Sequence, residues 1–154
     1  MSLRPHSMKR FVRQVENAVL LAICYAKKLV YGRANRVPSE ILSILVVQTA
    51  KLGDMVCSTP VFHAIRQRFP EARMVVLGDS VGKEVLKDNP DVDDYILDIK
   101  NPLALSRVLR RQRFAASIIL VPDSKALAAA YLAGIPFIAA SRIEGGFCPW
   151  QTRT

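Results

Sequence analysis

Cysteine, histidine and tryptophan are scarce in this sequence, and acidic residues are outnumbered. Cys24, Cys57 and Cys148 are odd in number, far apart and without a C-x-x-C pair, so neither a disulfide framework nor a zinc site is indicated. That usage fits a reducing, cytosolic setting. The apolar run from Ala18 to Ala26 is nine residues long, about half of the roughly 20 that a spanning helix needs. Neither G-x-x-x-x-G-K-[ST] nor G-x-G-x-x-G occurs, which removes the phosphate-loop and dinucleotide fingerprints. Basic residues are not interleaved with aromatics and no nucleic-acid reading motif is present, so nucleic acid is not the expected partner.

What is there is a chain of 154 residues, 51% hydrophobic and 23% charged. Such a chain is the size of one ordinary domain and can bury a real core. Its formal charge of +9 is uneven, because residues 1 to 40 carry eight Lys and Arg against Glu16 and Glu40. An excess concentrated in one segment suggests contact with an anionic surface, whether phospholipid, nucleic acid or a phosphorylated substrate. Within it, Phe11, Val12, Val15, Ala18, Val19, Ala22, Ile23, Ala26, Leu29 and Val30 follow a helical rhythm. The amphipathic helix expected there suits the headgroup region of an anionic membrane through residues 9 to 31. It equally suits packing on its own protein or on a second domain. A signal peptide fits less well, since Lys27-Lys28 interrupt and no small-x-small cleavage site follows. Gly32 to Ser39 reads as a linker.

From residue 39 onward strands and helices are expected to alternate. Ile41 to Gln48 is nearly continuously apolar, the pattern of a parallel strand covered on both faces. Comparable runs follow at Arg73 to Gly78, Tyr95 to Ile99, Ala116 to Val121 and, more weakly, Pro136 to Ala140. Helical patterns lie between them at Thr59 to Arg68, Gly82 to Lys87, Leu103 to Arg113 and Ser124 to Ala133. Strict alternation makes the class α/β, a Rossmann-like parallel sheet flanked by helices. The expected organisation is a basic helix and linker over 1–38, the α/β domain over 39–141, and a tail or the start of an interdomain connection over 142–154.

In open parallel sheets the ligand crevice lies beyond the carboxyl ends of the strands. The richest of the expected loops there is Thr49 to Ser58, which contains Lys51-Leu52-Gly53-Asp54 and runs into Ser58-Thr59-Pro60. Gly53 would permit tight backbone geometry, and Pro60 is tolerated in a first helical turn. Asp54 is then presented at the crevice, as a candidate base or as a helix cap.

The strand Ile44-Leu45-Val46-Val47, the Leu52-Gly53-Asp54 that precedes Ser58-Thr59-Pro60, and Phe69-Pro70-Glu71-Ala72-Arg73 occur in this order. Asn89-Pro90-Asp91-Val92-Asp93 and Ala130-Tyr131-Leu132-Ala133-Gly134 continue it. Over about residues 41 to 140 the chain resembles glycosyltransferase family 9, the lipopolysaccharide heptosyltransferases. The resemblance implies a two-domain GT-B enzyme, of which this chain looks like the N-terminal, acceptor-side half. It implies inverting, metal-independent sugar transfer, with a nucleotide-sugar donor bound mainly by the other half and a lipid-linked, lipopolysaccharide-core-type acceptor. No cofactor is implied, and the location is cytoplasmic, peripheral on the inner face of the bacterial inner membrane. Asp54 takes the place of the family's proposed base. Lys125 falls where a Lys or Arg is common, and Lys51, Gly53, Ser58 and Thr59 are the further candidate substrate contacts. Leu120-Val121-Pro122-Asp123-Ser124 departs from the Asp-x-x-Gly-like stretch of many relatives. Taken alone this half would catalyse poorly.

Each candidate has a plainer reading. Ser58 and Thr59 are commonly caps, Lys51 and Lys125 solvated lysines, and His63 a surface or packing residue. Arg107, Arg110, Arg111 and Arg113, with no acid between Leu103 and Phe114, either meet phosphates or form a solvated helix face. The competing function is a non-catalytic acceptor-binding or membrane-docking module.

Overall fold

The computed structural model describes residues 38–140, with Ala22 the only residue described before them. The amphipathic helix expected at Phe11 to Val30 therefore lies, but for Ala22, outside the described residues, as does the tail at 142–154. Five strands form one sheet: β1 (Ser43–Val47), β2 (Arg73–Gly78), β3 (Asp94–Leu97), β4 (Ala116–Ile119) and β5 (Phe137–Ala140). Their order is β3-β2-β1-β4-β5 and all neighbours pair in parallel. The α/β sheet expected from the alternating pattern is thus present.

The helices are α1 (Leu52–Cys57) and α2 (Thr59–Arg68), both between β1 and β2, then α3 (Ser80–Val85), α4 (Pro102–Gln112) and α5 (Ser124–Ala133). From β1 the chain steps outward to β2 and β3, then α4 carries it back past β1 to β4 and β5. Right-handed crossovers therefore put α2 and α3 on one face and α4 and α5 on the other. The reversal beside β1 opens a switch point between the carboxyl ends of β1 and β4, where ligands bind in such sheets. As the central strand, β1 is covered on both faces, and Ile44, Leu45, Val46 and Val47 are all buried.

Most elements fall within a residue or two of their expected bounds, and the departures have local causes. β1 is shorter than Ile41 to Gln48, although the Gln48 N–H still continues the ladder to the Leu77 carbonyl at 2.9 Å. α3 begins at Ser80, ahead of the expected Gly82, because the Asp79 carboxylate caps it by accepting from the Gly82 N–H. The largest correction concerns the expected loop from Thr49 to Ser58. Leu52–Cys57 is a helix, opened by the Met55 N–H bonding to the Lys51 carbonyl. Gly53 accordingly makes no tight turn, since Gly134 is the one described glycine with positive φ. At Gly134, which ends α5 at φ 91°, the Ile135 and Gly134 N–H groups close back on Ala130 and Tyr131.

Ile44, Val46, Met55, Phe62, Ile65, Met74 and Val76 belong to one core cluster, filling the space between the sheet and α1 and α2. Close approach sets the position of α1. A Cβ added at Gly78 would lie 2.6 Å from the Gln48 carbonyl oxygen and 3.2 Å from Met55 Cε, and closer still to the Tyr95 hydroxyl. At Gly82 it would meet Met55 Cε at 2.5 Å and the Tyr95 hydroxyl at 2.7 Å. The two glycines are thus the floor on which Met55 and Tyr95 rest. The Tyr95 hydroxyl donates to the Asp79 carbonyl at 2.9 Å, and burial, with the Asp79 charge adding to it, pushes the phenol well above its ordinary pKa.

At the opposite, amino-terminal edge of the sheet one guanidinium ties three segments together. Arg66 donates to the carbonyls of Pro70, Ala72 and Asp91 and to the Asp93 carboxylate. Asp93 also accepts from the Met74 N–H at 2.6 Å. Partial burial alone would raise the Asp93 pKa, but the Met74 N–H and the Arg66 guanidinium, with Arg73 beyond, outweigh it and hold the carboxyl below its ordinary value. A depressed folded pKa contributes stability above the unfolded value of about 3.9 that is lost as pH falls through the folded one. Asp93→Asn is therefore expected to flatten the acid limb of a stability–pH curve below about pH 4. An unchanged acid limb in urea melts would show that this carboxylate is not responsible.

The glycines predict effects of opposite sign. Gly78→Ala must displace Tyr95 or Met55 and is expected to cost about 1–3 kcal/mol. Gly53→Ala meets nothing within 4 Å and is expected to stabilise α1 by about 0.5–1 kcal/mol. Urea midpoints of the two variants moving in the same direction would contradict this packing.

Candidate active site

The carboxyl edge of the sheet gathers the start of α1, the caps of α3 and α5, and the segment between β3 and α4. Three helices begin here with a capping side chain. Asp79 caps α3, Asn101 caps α4 by accepting from Leu103 and Ala104, and Asp123 caps α5 by accepting from the Ala126 N–H. Helix α1 has no such cap: its N-cap is Lys51, whose side chain makes no capping bond.

Asp54 lies in the first turn of α1 and is exposed. It does not cap a helix. Its carbonyl oxygen, by contrast, is heavily used, accepting from the Ser58 N–H at 3.0 Å, the Ser58 hydroxyl at 2.7 Å and the Gln48 amide at 3.3 Å. The Gln48 amide also donates to Ser58 Oγ at 2.5 Å, while Gln48 Oε1 accepts from the Ala50 N–H. Gln48 is only 3% exposed. A buried amide at the end of the central strand therefore clamps both ends of the α1 turn.

The structure places the other sequence candidates as follows. Lys51 and Gly53 are exposed beside Asp54, at the open start of α1. Ser58 is buried and its hydroxyl is engaged within the clamp. Thr59 donates to the Val56 carbonyl at 2.8 Å. Lys125, in the first turn of α5, bonds to both oxygens of Asp98 at 2.5 and 2.6 Å, with both side chains about a quarter exposed. His63 lies away from this edge group, paired with Asp91 and next to Gln67.

Two residues that the sequence reading did not single out shape the site. Gln48 is one, marked in sequence by an amide closing an otherwise apolar strand. Asp123 is the other. Besides capping α5, its second oxygen accepts from the Thr49 hydroxyl at 2.8 Å, joining the segments after β1 and β4 across the switch point. An Asp between an apolar strand and an alanine-rich helix is a cap signal, but its bond to Thr49 depends on the strand order.

Of the four aspartates at this edge, Asp79 and Asp123 hold caps and Asp98 holds Lys125. Among the described residues Asp54 alone of the four has a side chain with no hydrogen bond or ion pair. Around it Leu52 and Val56 on α1 and Val81 on α3 are exposed apolar side chains. Among the described residues no three His, Cys, Asp or Glu side chains gather as metal ligands would.

Gln48→Ala is expected to cost about 1–3 kcal/mol, because buried polar partners lose their donor, and to speed amide exchange within α1. If both measurements match wild type, the clamp does not hold this helix.

No protein-family model matches the chain. It is 26% identical over 103 residues to lipopolysaccharide heptosyltransferase 2 of Escherichia coli, a match covering 62% of the chain and 30% of that protein. The structure of the E. coli ADP-heptose lps heptosyltransferase II superposes with a TM-score of 0.59 at 26% identity, over 64% of this chain and 30% of that one. A glycosyl transferase family 9 structure from Veillonella parvula gives a TM-score of 0.58 at 21% identity, over 67% of this chain and 33% of that one, and supports the fold. The chain thus spans about a third of the length of the proteins it matches. In sequence and in fold, it is similar to part of the lipopolysaccharide heptosyltransferases of glycosyltransferase family 9.

Proposed function

We propose that this chain is the acceptor-side part of an inverting glycosyltransferase and that Asp54 is its base. The observation that carries the reading is the free carboxylate: at a crevice where three other aspartates are committed, Asp54 is exposed and has no partner among the described residues, on a helix clamped by its backbone. In the proposed reaction the Asp54 carboxylate takes the proton of an acceptor hydroxyl as that oxygen attacks the anomeric carbon of the donor. The bond from that carbon to the nucleotide diphosphate breaks on the opposite side, which inverts the configuration. Such a base must come within about 2.6–3.2 Å of the hydroxyl.

The open start of α1 leaves room for a sugar against Gly53, and Lys51 and Thr59 stand beside it. Lys125 contacts an acceptor phosphate in this reading by sharing its ammonium with Asp98, and Ser58 contributes through the clamp. The acceptor is a lipid-linked saccharide of lipopolysaccharide-core type, and the donor is a nucleotide sugar bound mainly by residues beyond those described. No metal ion or organic cofactor enters the scheme. Residues 9 to 31 hold the protein on the cytoplasmic face of an anionic membrane. Among the described residues no helix is long and apolar enough to cross one.

Asp54→Asn, assayed in the complete polypeptide with ADP-heptose and a lipopolysaccharide-core acceptor, is expected to lower kcat by about 10²–10⁴-fold. Its melting should be unchanged, because the carboxylate has no partner to lose. A variant that transfers at the wild-type rate removes Asp54 from the mechanism.

A further inference from the structure

Between Asp98 and Asp123 the sequence contains no acid and five cations: Lys100, Arg107, Arg110, Arg111 and Arg113. Helix α4 sorts them to one side. Its buried positions are Leu105, Ser106 and Leu109, while Leu103, Arg107, Arg110 and Arg111 are exposed. Spaced i, i+4, i+7 and i+8, these four form a single outward stripe. At about 1.5 Å per residue, the stripe from Leu103 to Arg111 is roughly 12 Å long.

These arginines differ in their partners from three cations elsewhere in the domain. Arg66, Arg73 and Lys125 each face an aspartate. Arg110 donates to the Leu132 carbonyl in the last turn of α5 and faces no carboxylate among the described residues. The side chains of Arg107, Arg111 and Arg113 have no hydrogen bond or ion pair among the described residues. Arg113 also occupies a left-handed position, φ 53°, that favours glycine or asparagine.

Guanidinium groups on the convex outside of a helix diverge, so they cannot converge on one phosphate. They suit a flat array of many phosphates. Helix α4 has no aromatic side chain on which a base could stack. Leu103 in its first turn is 48% exposed, and Leu42, 62% exposed, directly precedes the Ser43 that bonds to the Arg113 carbonyl. A row of cations flanked by exposed apolar side chains is the chemistry of a helix lying on anionic headgroups. The carboxyl end of α4 also meets the start of β1, where Ser43 Oγ donates to the Arg113 carbonyl at 3.1 Å.

We infer that the outer face of α4, with Arg107, Arg110, Arg111 and Arg113, is a docking surface for an anionic phospholipid layer. This surface is distinct from residues 9 to 31 and does not depend on the transfer chemistry. The test is co-sedimentation of the full chain with phosphatidylcholine vesicles, with and without phosphatidylglycerol. Wild type is expected to bind only the anionic vesicles, and less as salt rises. Arg107→Gln/Arg111→Gln is expected to weaken that binding roughly 25-fold, at about fivefold per guanidinium near a charged bilayer. Arg107→Glu/Arg111→Glu should weaken it further. Both side chains are exposed and unpaired, so thermal melts should match wild type. Lys27→Glu/Lys28→Glu reports on the amino-terminal segment separately. Wild-type vesicle affinity in both arginine variants overturns the inference, whatever the lysine variant does. So does a chain that ignores anionic vesicles, or arginine variants that lose only RNA binding.

Discussion

The contact on which the site depends is the seating of Met55 and the Tyr95 hydroxyl against Gly78 and Gly82. Glycine at those two positions lets a thioether and a phenol approach β2 and α3 to distances that no Cβ would allow. The consequence is positional. Met55 is the buried residue of α1, so its seat fixes the helix on which Asp54 is the preceding residue. The Gln48 clamp then fixes the turn from the other side, through the Asp54 carbonyl and Ser58. Neither arrangement touches the Asp54 carboxylate. The side chain proposed as the base is thereby held through its backbone.

The two edges of the sheet divide the work. At the amino edge Arg66 gathers Pro70, Ala72, Asp91 and Asp93, so several sequence pieces that carry the family resemblance serve structure there. Phe69-Pro70-Glu71-Ala72-Arg73 and Asn89-Pro90-Asp91-Val92-Asp93 are two segments joined by one guanidinium. At the carboxyl edge lie the caps, the Lys125–Asp98 pair and Asp54. A resemblance resting on both sets therefore supports the fold more strongly than it supports any one residue's role.

The sheet and most helices could be read from the sequence because their signals are local. An apolar run buried on both faces, as in Ile44 to Val47, names a parallel strand, and Gly134 ends a helix wherever that helix packs. Helix α1 could not be read this way. Six residues with a glycine and no side-chain cap look like a loop, and they become helical because Met55 finds a seat on glycines 23 and 27 residues further along the chain. The clamp by Gln48 and the Thr49–Asp123 bond were hidden for the same reason. Each is a polar contact whose partners are set by strand order. Asp54 was legible as a candidate base, but the reason its carboxylate is free where its neighbours' are not was hidden.

That reason lies in what surrounds it. A carboxylate that caps a helix or holds a lysine must give up a bond before it can accept a proton, and the bond to a charged partner is among the stronger ones in a protein. Asp79, Asp98 and Asp123 are all in that position. Asp54 is not: Gln48 and Ser58 donate to its carbonyl oxygen, and its carboxylate has no partner among the described residues. A buried amide and hydroxyl anchor α1 through that carbonyl, so the one carboxylate of its first turn takes no part in the anchoring and, in the proposed reaction, is open to the acceptor.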